Sequence, residues 1–134
     1  MKREIKFRSA FFNIKTDKFS HFHYWGFLNH KNEYDENCFK APAQNSHAYR
    51  KTDDQFTGLK DKQGKEIYEG DILDNHFKVE WNQLHNGFAL FNKKGYCHQL
   101  MADEYNLTGE SLPPWQINAE VIGNIYENPE LLNT

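Results

Sequence analysis

Between Gln55 and Asp71 the chain reads QFTGLKDKQGKEIYEGD, three glycines and four acids within seventeen residues. Asp61-Lys-Gln-Gly64 is a turn: aspartate bonds its own backbone, and Gly64 takes the positive φ that closes a hairpin. Glu66 to Tyr68 starts the return strand, Glu69-Gly70-Asp71 forms a second tight corner, and Ile72-Leu73 enters another strand. Gly58, Gly64, Gly70 and Asp71 are therefore read as turn-forming residues. A phosphate-holding loop would need lysine directly after glycine, then Ser or Thr, then a helix facing the anion. Gly64-Lys65 is followed by Glu66 and a strand-like run, so that alternative fails. Glu69 and Asp71 read as backbone-bonding corner acids rather than as a catalytic or metal-binding pair.

The flanks repeat this pattern of short strands and turns. EIKFR (4–8) alternates, with Ile5 and Phe7 on one face. Residues 13–18 are turn-like, and FSHFHYWGFL (19–28) is a strand dense in rings. Residues 29–51 show no periodicity and read as an irregular excursion, long for a compact domain. FKVEW (77–81) alternates, Asn86-Gly87 is a hairpin signal, and Phe88 to Phe91 answers as the paired strand. His98 to Tyr105 suggests a short helix, stopped by Pro113-Pro114. EVIGNIY (120–126) is a last strand in which Gly123 marks a bulge or a close backbone approach. Asn128-Pro129 reads as a helix cap followed by a proline at the first helical position, opening one terminal turn. Strands this short and closely spaced predict one mainly β domain over 1–134: a small, bent, barrel-like antiparallel sheet with a short C-terminal helical turn.

Only 38% of the 134 residues are hydrophobic, but 11 Phe, 7 Tyr and 3 Trp supply large buried area per side chain. Net charge is −3, which weighs against non-specific nucleic-acid binding. The distribution is uneven. Lys2, Arg3, Lys6, Arg8, Lys15 and Lys18 face only Glu4 and Asp17 in the first eighteen residues, whereas six acids and no Lys or Arg follow residue 100. The opening MKREIKFRSAFFNIK carries charges where a leader needs an apolar stretch, and no run approaches membrane-spanning length. These features predict a soluble chain in the cytoplasm with Cys38 and Cys97 reduced and no membrane contact.

REIKFR, FTGLKDKQGKEIYEGDIL, KVEW and the ending VIGNIYENPELL, in that order, resemble the YopX family of phage and prophage proteins. The resemblance touches both ends and the middle of the chain; residues 19–51 and 91–115 lie outside its blocks. It implies a small, largely β protein of bacterial viruses or integrated elements, acting in the host cytoplasm. It brings no known catalytic residue.

His21 and His23, two apart on a strand, project from one face and form half of a metal-chelating set, but no further ligand pattern supports a metal site. Cys97-His98 is a pair in sequence only, and no serine sits in a nucleophile elbow. Asp35-Glu36 and Asp53-Asp54 read as solvated loop pairs. No enzyme motif and no cofactor motif is found. A binding surface remains. The expected function is a non-enzymatic module that binds a protein partner or itself through the excursion and the ring-rich strand. The alternative is a single-stranded nucleic-acid binder, with Lys2, Arg3, Lys6 and Arg8 on the phosphates and Tyr24 and Trp25 stacking bases.

Overall fold

Nine strands and a single 3-10 turn account for the regular structure in the described residues 5–26, 46–74, 76–84, 86–100 and 116–132 of this computed structural model. The chain divides into two compact units, Met1–Phe56 and Thr57–Thr134. Strand β3 (Ala48–Lys60) begins in the first and ends in the second.

In the first unit the strand order is β2-β1-β3, with β1 (Lys6–Asn13) central and β2 (Phe19–Gly26) at the end. All pairing is antiparallel: Ser9 lies opposite His23 and Asp53, and Arg8 opposite Tyr24 and Asp54. The β1–β2 turn is built locally. The Asn13 side-chain oxygen accepts the amides of Lys15 (2.9 Å) and Thr16 (3.1 Å), and Asp17 adopts a φ of 56°. Strand β1 is covered on both faces, with Ser9, Ala10, Phe11 and Phe12 buried. Of the expected excursion 29–51, residues 29–45 lie outside the described residues, and Ala48 to Lys51 form the start of β3.

In the second unit β4 (Glu66–Tyr68) neighbours β3, and a five-stranded sheet follows. Its order is β8-β7-β6-β5-β9, from β5 (Asp71–Leu73), β6 (Lys78–Asn82), β7 (Gly87–Phe91), β8 (Cys97–Leu100) and β9 (Val121–Asn124). Ile67, Leu73, Val79, Leu90, Ile117 and Ala119 form the core, with Leu59, Phe77, Phe88 and Val121 packed against it. Strand β5 follows the tight corner at Glu69-Gly70, β6 comes from the alternating segment 77–81, and β7 from the strand read at 88–91. The Asn86-Gly87 hairpin is present, with Asn86 at a φ of 52°.

The mainly β fold, its antiparallel pairing and its terminal helical turn, Pro129–Leu132, agree with expectation. The barrel does not. Strands β2 and β4 end one order and β8 and β9 the other, so neither sheet closes on itself. The reason lies at Glu69-Gly70. Gly70, at a φ of 86°, turns the chain out of β4 into β5, which pairs with β6 and β9 instead of extending the first sheet. The expected helix at 98–105 is also corrected in part: 97–100 pair with β7 as strand β8, and 101–105 lie outside the described residues. Gly58 lies within β3 rather than in a turn. It takes a φ of 88° beside Thr57, whose hydroxyl donates to the Ile67 carbonyl at 2.8 Å and accepts the Leu59 amide at 3.2 Å.

Candidate functional site

The central turn contains a buried carboxylate bound to backbone amides. Asp61, 1% exposed, accepts the amides of Gln63 (2.9 Å) and Lys65 (2.8 Å) on one oxygen and that of Val121 (3.0 Å) on the other. Asp71 likewise accepts the Tyr68 amide at 2.8 Å across the second corner. Both carboxylates are occupied with backbone donors, as short turn acids commonly are.

Most of the residues singled out for binding lie on β1 and β2, and alternation sorts them onto two faces. On one face the Trp25 ring stacks on Phe7, centroids 4.6 Å apart. Its Nε1–H donates to Ser9 Oγ at 2.9 Å. Ser9 in turn donates to Asp53 Oδ1 at 2.6 Å, and Asp53 receives both Nε, at 2.8 Å, and Nη2 of Arg50. These bonds hold the Asp53 carboxyl below the usual aspartate range, the Arg50 bonds contributing most, against a smaller opposing effect of burial. His21 stacks flat on Phe11 at 5.0 Å, and its Nδ1 lies 2.9 Å from Ser20 Oγ.

On the other face Arg8, 4% exposed, lies with Nε 3.5 Å from Asp54 Oδ2 and its guanidinium 4.2 Å from the Phe22 ring centroid. Phe22 continues to Phe19 (4.8 Å) and Tyr24 (6.2 Å). Lys6 Nζ sits 5.3 Å from the Phe56 ring. Tyr24 remains 46% exposed, and His21 and His23 are exposed.

The structure therefore brings Lys6, Arg8, Tyr24 and Trp25 onto adjacent strands. It also assigns two of them internal partners: the charge of Arg8 is met by Asp54, and the indole N–H of Trp25 by Ser9. Lys2 and Arg3 lie outside the described residues. His21 and His23 share a face, and among the described residues no three His, Cys, Asp or Glu side chains form a metal-holding group. Cys97 is a free, exposed thiol.

Ser9, Arg50 and Asp53 were not legible as a group. The pair Asp53-Asp54, read as solvated, is a strand dipeptide whose side chains go to opposite faces, one to Ser9 and Arg50, the other to Arg8. The available signal was alternation, since a strand over 48–55 separates two adjacent acids onto two faces.

No helix among the described residues is long and apolar enough to cross a membrane. No curated protein matches the chain. The family model described as YopX protein matches residues 6–133, so the chain belongs to the YopX family.

Proposed function

We propose that the chain is a non-enzymatic accessory protein of phage or prophage origin that works in the bacterial host cytoplasm by binding a protein partner, another copy of itself included, with strand β2 as its contact. One observation carries the reading. Strand β2, FSHFHYWG, contains no charged residue and no proline along eight positions, and it ends its strand order among the described residues. End strands ordinarily carry lysine, proline or another blunting device because an uncharged edge pairs with further chains. His21, His23 and Tyr24 lie exposed along it, and tyrosine is enriched where proteins meet.

The nucleic-acid alternative loses weight through Arg8. A phosphate-binding arginine needs an accessible guanidinium, and this one is buried against Asp54 and Phe22. The test has two arms. A protein co-purified from an induced host with the wild-type chain and lost with Tyr24→Glu supports the reading, provided the variant keeps the wild-type circular dichroism. Tight binding of a labelled single-stranded oligonucleotide, falling steeply with salt, overturns it in favour of nucleic acid.

A further inference from the structure

We propose that Asp53 is a positioning residue for Trp25, acting across two strands through the Ser9 hydroxyl. This deepens the binding role given to β2 and rests on it only for its consequence, since the coupling itself is readable without a partner. One hydroxyl sets the direction of both bonds. Serine has a single proton to donate and two lone pairs. Ser9 is fully buried, and its proton goes to Asp53 Oδ1 at 2.6 Å, the short distance of a bond to an ionised acceptor. With its proton so directed, Ser9 Oγ meets the indole N–H of Trp25 as an acceptor at 2.9 Å.

The indole is thus fixed at two points, by Ser9 at its polar tip and by Phe7 on its ring face, centroids 4.6 Å apart and planes 23° from parallel. Arg50 completes the chain by holding Asp53 from its own strand. Removing the Asp53 acceptor frees the Ser9 hydroxyl to rotate, and a hydroxyl that turns its proton toward the indole no longer accepts from it. The ring that loosens belongs to the strand proposed as the contact.

The experiment uses the full chain with Trp81→Phe and Trp115→Phe, so that Trp25 is the only indole, and follows its Nε1–H by nuclear magnetic resonance. Ser9→Ala should shift the signal and raise its solvent exchange at least tenfold. Asp53→Ala should do the same, while Asp53→Asn, whose side-chain oxygen still accepts from Ser9, should restore the parent signal. In the Ser9→Ala background Asp53→Ala should add nothing, because the intermediary is already gone. Arg50→Gln, which removes a partner of Asp53 but leaves the Ser9 bond, monitors general loosening of the sheet. An unchanged indole signal in Asp53→Ala, an Asp53→Asn that fails to rescue, or additive effects of Ser9→Ala and Asp53→Ala would overturn the proposal. None of these outcomes depends on a partner being bound, so failure here is separate from failure of the binding role.

Discussion

The Asp61 carboxylate accepts the amide of Val121 at 3.0 Å, sixty residues further along the chain. The residue that makes the central turn is thereby also the residue that anchors the first amide of β9. The same aspartate accepts two amides of its own turn, and its carbonyl accepts Gln116 Nε2 at 3.0 Å. A turn acid is replaceable in isolation; one that closes a long-range contact is not.

Asp61→Ala should accordingly be among the more damaging substitutions in the second unit. It strands three amide donors, and each buried unsatisfied group costs about 1–3 kcal/mol, less in sum where water reaches the turn. A loss of about 3 kcal/mol is expected from urea unfolding, with an unchanged m-value. A cost below about 1 kcal/mol would mean that the turn and β9 hold their positions without it.

Gly123 and Asn128 make a second interlocked pair. A Cβ built on Gly123 would stand 2.5 Å from Asn128 Oδ1, while that oxygen accepts the Asn124 amide at 3.2 Å. Gly123→Ala should cost about 1–3 kcal/mol through overpacking. In an Asn128→Ala background, which removes Oδ1 and Cγ but leaves the Asn128 Cβ 3.0 Å away, its cost should fall only in part, a non-additivity that a double-mutant cycle reads directly. Gly64 offers the contrast: it has nothing within 4 Å of its would-be Cβ but a φ of 85°. Gly64→Ala should cost about 1 kcal/mol for backbone strain, and Gly64→Asn less, since asparagine tolerates that region.

The difference between the two glycines marks what was readable in the sequence. The turn at Asp61-Gly64 and the hairpin at Asn86-Gly87 were legible because their chemistry is local: a short acid, a residue permissive of positive φ, and strands on either side. The close approach at Gly123 was legible as a kind of event but not in its partner. Asn128 before Pro129 reads as a cap, yet its side chain turns back to the Asn124 amide, in the space that the glycine leaves. Residues 98–105 read as a short helix; pairing with β7, which no local pattern encodes, makes 97–100 a strand. The buried Arg8 is the same lesson on the candidate surface. A cation on the strand face opposite Ile5 and Phe7 reads as exposed, and its burial depends on Asp54, forty-six residues away.

Acid should expose the Asp53 network. The folded-state carboxyl is held below its ordinary value of 3.8, chiefly by the Arg50 hydrogen bonds. A depressed carboxyl contributes stability that is whole above the unfolded value and is lost as pH falls through the folded one. Wild-type stability should therefore decline as pH drops below about 4, and Asp53→Asn should show a shallower decline over that window. At the opposite end, Tyr49 donates its hydroxyl to Asp17, a bond that raises its pKa above 10.0. That contribution is present below pH 10 and is lost as pH rises through the folded value, so Tyr49→Phe should flatten the alkaline limb. Thermal midpoints from pH 2.5 to 11 test both, and equal slopes in variant and wild type would refute the respective assignment.

Arg8 separates a structural cation from a binding one. Its side chain is 5% exposed and that of Asp54 10%, with the guanidinium over the Phe22 ring. Removing one member of a buried ion pair leaves the other charge uncompensated, at a cost of about 3–5 kcal/mol, whereas replacing both by apolar groups of similar volume is often neutral or better. Arg8→Ala should therefore cost about 3 kcal/mol, and Arg8→Met combined with Asp54→Leu far less. A phosphate-binding arginine on an exposed surface behaves in the opposite way: its removal leaves stability almost unchanged and lowers the salt dependence of oligonucleotide binding. Urea unfolding of the two variants, run beside oligonucleotide anisotropy, distinguishes these outcomes. A near-neutral Arg8→Ala would return Arg8 to the surface and restore the nucleic-acid reading of β1 and β2.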